Sequence, residues 1–118
     1  MTPKVLGEIE YVTAFRFPIS PSKEELLEIM DRCISYVGMT IHGEPDIRVF
    51  PDEQGKGGVG SQVYRALTES YMVGGTWDNL RKMRLLISSC EPYDRIGLVK
   101  FLMNLCRVKP DKFKAFDF

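Results

Sequence analysis

The residue types most able to do chemistry lie between Glu69 and Cys90. Cys90 ends an apolar run just before Glu91-Pro92, a place where a thiol can face a cleft at a sheet edge or serve as a buried structural group. Cys33 and Cys106 fall on helical patterns and read as small core residues. These three cysteines are widely spaced with no Cys-x-x-Cys pair, which argues against a disulfide framework and against a zinc site. His42 is the chain's one histidine, so a His-rich metal site is excluded and any Ser-His-Asp or Cys-His arrangement must use this imidazole. A structural role at a turn is the commoner fate of such a residue. His42-Gly43-Glu44 matches the first half of a zinc deaminase signature, but the required Pro-Cys-x-x-Cys element is missing. No metal is expected.

Trp77 sits in a glycine-rich corner, where a large aromatic is either a lid over the core or a platform for a flat ligand. The Gly55–Ser61 stretch has the glycines of a phosphate loop but lacks the Gly-Lys pair before Ser or Thr at the mouth of a helix. It reads as a hairpin loop.

The elements that must position these residues follow from periodicity. Glu8 to Phe17 is rich in β-branched and aromatic residues and predicts a first strand. Ser22 followed by Glu25 is a capping box, and Leu26, Leu27, Ile29, Met30, Cys33, Ile34 and Val37 then recur at helical spacing up to Gly38. Met39 to Phe50 reads as a second strand interrupted at Gly43-Glu44-Pro45, followed by a loop over Pro51 to Gly60. Further strands are expected at about Ser61 to Leu67, Glu69 to Val73 and Met83 to Ser89, with a Gly-Gly-Thr-Trp-Asp-Asn corner before the last of these. Asp94 can cap a second helix carrying Leu98, Phe101, Leu102 and Leu105, and a short strand can hold Phe113, Ala115, Phe116 and Phe118. Hairpins rather than repeated crossovers imply an α+β two-layer sandwich, a mainly antiparallel sheet with two helices packed on one face.

A length of 118 residues suits one domain over 1–118 with one core. Sixteen basic residues cancel sixteen acidic ones, so no overall field recruits nucleic acid or an anionic membrane. The short apolar runs and the polar start (Met1, Thr2, Pro3, Lys4) predict neither a membrane span nor a signal peptide, hence a cytoplasmic protein with reduced thiols.

In order along the chain, Tyr36-Val37-Gly38-Met39-Thr40, Gly43-Glu44-Pro45, Leu67-Thr68-Glu69-Ser70, Thr76-Trp77 and Ser89-Cys90 resemble the small prokaryotic S-adenosylmethionine decarboxylase proenzymes over roughly residues 24 to 116. The most specific features are the Glu-Ser junction and a cysteine twenty residues after that serine. The resemblance implies self-cleavage between Glu69 and Ser70 by an N-to-O acyl shift, after which elimination and loss of ammonia leave a pyruvoyl group derived from Ser70. That group condenses with a substrate amine and accepts the electrons released with carbon dioxide, so no external cofactor is needed. The resemblance further implies Cys90 as proton donor, Trp77 and Phe50 as the aromatics around the adenine, and a homodimer that pairs two sheets or sheet edges. The implied substrate is S-adenosylmethionine or a related amino acid, and the product an aminopropyl donor for spermidine synthesis.

Two departures stand beside these matches. Gly75 occupies the place of the family's processing histidine, and Asn79 that of a glutamate suited to ribose hydroxyls. A glycine supplies no base, which costs on the order of 10²–10⁴-fold in the elimination unless Tyr71 or His42 substitutes. Ser61 lies near the place of the family's upstream processing serine, although strict counting lands on Gln62. Two functions therefore remain: a pyruvoyl-dependent decarboxylase, or a non-processing homologue that keeps the fold as a ligand-binding or regulatory subunit.

Overall fold

A capping box sets the first helix, as its sequence predicts. The Ser22 hydroxyl accepts from the Glu25 amide at 3.2 Å while the Glu25 carboxylate accepts from the Ser22 amide at 3.1 Å. The computed structural model, which describes residues 8–50 and 59–118, places helix α1 over Lys23–Tyr36 and helix α2 over Arg95–Cys106. Asp94 caps α2 by accepting from the Gly97 amide at 2.9 Å. Six strands complete the fold: β1 (Tyr11–Phe17), β2 (Asp46–Phe50), β3 (Gly60–Leu67), β4 (Ser70–Trp77), β5 (Lys82–Ser89) and β6 (Lys112–Asp117). They form one antiparallel sheet in the order β2-β3-β4-β5-β1-β6. This is the α+β sandwich that the hairpin pattern implies.

Alternation along each strand sends one set of side chains to the helices. Phe15 and Phe17, Val63, Met72, and Met83, Leu85 and Ile87 are buried there against Leu26, Met30, Cys33 and Ile34 of α1 and Leu98 and Leu102 of α2. A Cβ at Gly74 would lie 2.6 Å from the Met30 sulfur, so this glycine lets α1 settle on β4. Cys33 is buried in this core, whereas Cys106 is only half-buried at its margin. The other face of the sheet, which carries Arg16, Tyr71, Val73, Trp77, Arg84 and Leu86, has no helix over it among the described residues.

Several boundaries differ from the sequence reading. The first strand starts at Tyr11 rather than Glu8, and the second is confined to Asp46–Phe50, with Ile41 making only an isolated bridge to Leu67. β4 does not stop at Val73: it runs through Gly74 and Gly75 to Trp77, and the expected corner is instead a single 3-10 turn over Asp78–Leu80 closed by Arg81 at φ 49°. Paired neighbours on both sides carry the strand past two glycines of low intrinsic strand preference. β6 is an edge strand, with Phe113, Phe116 and Phe118 partly or largely exposed, although the Phe113 ring still packs, tilted, 5.4 Å from that of Phe15. The expected Pro51–Gly60 loop lies, up to Gly58, outside the described residues.

Candidate active site

β3 and β4 are joined by the two-residue turn Thr68-Glu69, and the register pairs Leu67 with Ser70. Closing so short a turn puts Glu69 in the left-handed region at φ 60°. For a residue with a Cβ this conformation costs roughly 1–2 kcal/mol. The strain therefore sits on the residue whose carbonyl precedes Ser70, in a turn held from outside by the Thr68 amide donating to the Thr40 carbonyl at 3.0 Å.

Around this turn the sheet gathers the end of β5. Register places Ser70 beside Ser89, and their hydroxyls are 3.3 Å apart. Cys90 follows directly, its sulfur 3.8 Å from the Glu69 carboxylate. Ser88 donates to the Glu10 carboxylate at 3.4 Å, and Ser89 accepts from the Glu91 amide at 3.1 Å. Glu10, Glu69, Ser70, Ser88, Ser89 and Cys90 thus line one cavity of about 170 Å³. Partial burial first, then the carboxylates of Glu69 and Glu91, push the Cys90 thiol above its ordinary pKa, so it is a proton-bearing group at neutral pH. Ser89 is buried, Ser70 is half-buried, Glu69 is open to solvent, and the set can present a hydroxyl, a thiol proton and carboxylates to one small ligand.

A second, larger cavity of about 610 Å³ lies on the helix-free face at the far end of β4. Phe50, Trp77, Gln62, Gly75, Arg84 and Tyr71 are among its walls. The indole folds back over Gly75, with two of its ring carbons 3.6 Å from where a Cβ would stand, and the Arg84 guanidinium lies 5.1 Å from its centroid. Trp77 is therefore no lid over the core; it faces away from the helices and is 38% exposed.

The structure brings Glu69, Ser70 and Cys90 together and, separately, Phe50 and Trp77. It does not join the groups. Ser70 and Trp77 are the two ends of β4, about 23 Å apart at the usual strand rise. Of the other candidates, Tyr71 lines both cavities and stacks on Tyr64 at 6.1 Å. Ser61 neighbours Trp77 rather than Ser70, its amide donating to the Thr76 hydroxyl at 2.9 Å. Asn79 is exposed in the 3-10 turn. His42 is exposed beside β3, where its amide donates to the Ala66 carbonyl at 2.9 Å, and its imidazole has no hydrogen bond among the described residues. Sequence reasoning missed Glu10, Ser88 and Ser89 at the first cavity and Arg84 at the second, because only the strand register places them there.

Against known proteins, no family model and no curated sequence matches the chain. Among solved structures, the fold is similar to the crystal structure of the adenosylmethionine decarboxylase from Aquifex aeolicus VF5, with a TM-score of 0.66 and 11% identity over 93% of this chain and 88% of that one. At that identity the likeness is one of fold.

Proposed function

We propose that the chain is a self-processing, pyruvoyl-dependent decarboxylase of S-adenosylmethionine or a related amino acid, working as a pair of identical single-domain subunits. The observation that carries this reading is the Glu69–Ser70 junction: a left-handed, strained residue whose carbonyl is followed by a half-buried serine, with a protonated thiol beside it. The decarboxylase fold of the Aquifex protein agrees with it.

These residues suit a pyruvoyl group. In the acyl shift the Ser70 Oγ forms an ester bond to the Glu69 carbonyl carbon as the Glu69–Ser70 amide bond breaks, and strain stored at Glu69 is relieved in the product. Ser89, hydrogen-bonded to the Ser70 hydroxyl, positions it; the hydroxyl proton passes to the departing nitrogen. Once formed, such a group supplies an electron sink for decarboxylation. Cys90 holds the proton for the carbon that loses carbon dioxide, and Glu69 and Glu91 keep that proton on sulfur.

The pairing follows from reach. A ligand whose ring rests on Trp77 cannot extend along β4 to Ser70 of the same copy, which lies about 23 Å away and on the opposite face of the sheet by alternation, so the composite site draws Ser70 from one copy and Trp77 from the other.

Intact mass under denaturing conditions tests the proposal. Two fragments meeting between Glu69 and Ser70, the second lacking its amine, are expected, with Ser70→Ala remaining whole. A wild-type chain that stays uncut after long incubation sinks the enzyme reading and leaves a ligand-binding subunit, the reading that Gly75 favours by supplying no base. Gly75→His then reports why: its Cβ meets only ordinary contacts, so restored cleavage would locate the defect at that position.

A further inference from the structure

Arg65 is a cation on the core side of the sheet. Alternation along β3 sends Val63, Arg65 and Leu67 towards the helices, where Val63 and Leu67 join the apolar core and Arg65, paired across from the buried Met72, is only 9% exposed. A guanidinium at that depth stays charged and needs its donors met. Its Nε and Nη2 fork onto Asp31 of α1, 3.0 Å from each carboxylate oxygen, and its Nη1 donates to the Gly43 carbonyl at 3.2 Å. The Asp31 side chain is 34% exposed, so the pair sits at the border of the core.

Such a pair is weak evidence for stability, because apolar side chains of similar volume commonly stabilise as well or better. What they cannot do is hold the Gly43 carbonyl. Gly43 follows a short segment, 40–42, that lies along the end of β3. There the His42 amide donates to the Ala66 carbonyl at 2.9 Å, Ile41 bridges Leu67, and the Thr68 amide donates to the Thr40 carbonyl at 3.0 Å. Glycines at positive φ stand near both ends, Gly38 at 74° and Gly43 at 84°, so the backbone of this stretch has little stiffness of its own. Its contacts at Ala66, Leu67 and Thr68 stop one residue short of Glu69, whose left-handed conformation persists only where the surroundings over-determine it.

We propose that Arg65 is a positioning residue for the cleavage junction: anchored on Asp31, it holds the Gly43 carbonyl, keeps 40–42 against β3, and so keeps Glu69 left-handed. Among the described residues it has no hydrogen bond to Glu69, Ser70 or Cys90, and it acts through the turn. The inference rests on the self-cleavage reading and adds to it the source of the reactive conformation.

Two variants separate this role from a structural one. Arg65→Met keeps an apolar stem and loses the fork; adding Asp31→Leu leaves no charge unpaired, so the double variant should match or exceed the wild-type urea midpoint. The full chain is followed by intact mass against time after purification and by residue-resolved amide hydrogen exchange. Both variants should cleave roughly five- to thirtyfold more slowly, the weight of one left-handed residue with a Cβ. The His42 and Thr68 amides should exchange faster by a similar factor while the β5 amides in the sheet centre keep their wild-type rates. Cleavage at the wild-type rate in the double variant would overturn the proposal. So would a uniform acceleration of all amides with a lowered midpoint, the signature of a pair that only stabilises. A wild-type chain that is never cut removes the decarboxylase reading and leaves the clamp to exchange alone: faster exchange confined to His42 and Thr68 upholds it, and unchanged exchange there overturns it.

Discussion

At Cys90 the surroundings decide which form of the thiol exists. Burial and the Glu69 and Glu91 carboxylates raise its pKa, so it keeps its proton at neutral pH and gives it up only as pH climbs through that raised value. Activity that draws on this proton should persist into mildly alkaline solution and fall beyond it. Alkylation measures the same quantity, because only the thiolate reacts. At pH 8, iodoacetamide should label Cys90 more slowly than a cysteine in an unstructured peptide, as followed by peptide mass. Glu69→Gln removes one of the opposing charges and should raise the rate roughly two- to fivefold; an unchanged rate would mean that Glu69 does not govern the thiol. Glu69, Ser70 and Cys90 were legible in the sequence because their types and spacing were recognisable without any fold. Ser89 and Glu10 were not, since nothing local to either states that pairing will set them around Ser70.

The elements show the same division between local and distant causes. The two helices could be read because their caps are short-range: Ser22 with Glu25, and Asp94 with Gly97, each satisfy amides within the same turn. β4 could not be read beyond Val73, since the reasons for its glycines lie on other elements. At Gly74 a Cβ meets the end of the flexible Met30 side chain; at Gly60 it runs into the Thr76 carbonyl oxygen, which is backbone; at Gly75 it touches the indole at 3.6 Å, ordinary contact. Alanine substitutions should therefore rank in stability. Gly75→Ala should stay within about 0.5 kcal/mol of wild type, Gly74→Ala should lose about 1–3 kcal/mol, and Gly60→Ala should lose more because a strand, not a side chain, must move. Urea midpoints at constant slope check the order. A Gly60→Ala chain as stable as wild type would show that β3 and β4 approach less closely at Thr76 than this register places them.

Across the whole molecule the sheet keeps Ser70 and Trp77, the two ends of β4, about 23 Å apart, and the composite site proposed above has a consequence that a single-chain site lacks. Ser70→Ala removes the processed residue, and Trp77→Ala removes the ring, so each homodimer is defective at both of its sites. A mixed dimer joins the intact Ser70 of one copy to the intact Trp77 of the other at one site and collects both defects at its mate. Random exchange makes half the dimers mixed, each with one good site of its two, so mixing equal amounts of the variants should restore about a quarter of wild-type decarboxylation. The copies must be mixed before assembly, by co-expression or by refolding together. If each chain built its own site, no mixture would exceed the sum of its parts. Recovered mixed dimers without recovered activity would then return Trp77 to the role of a surface aromatic, independent of the chemistry at Ser70.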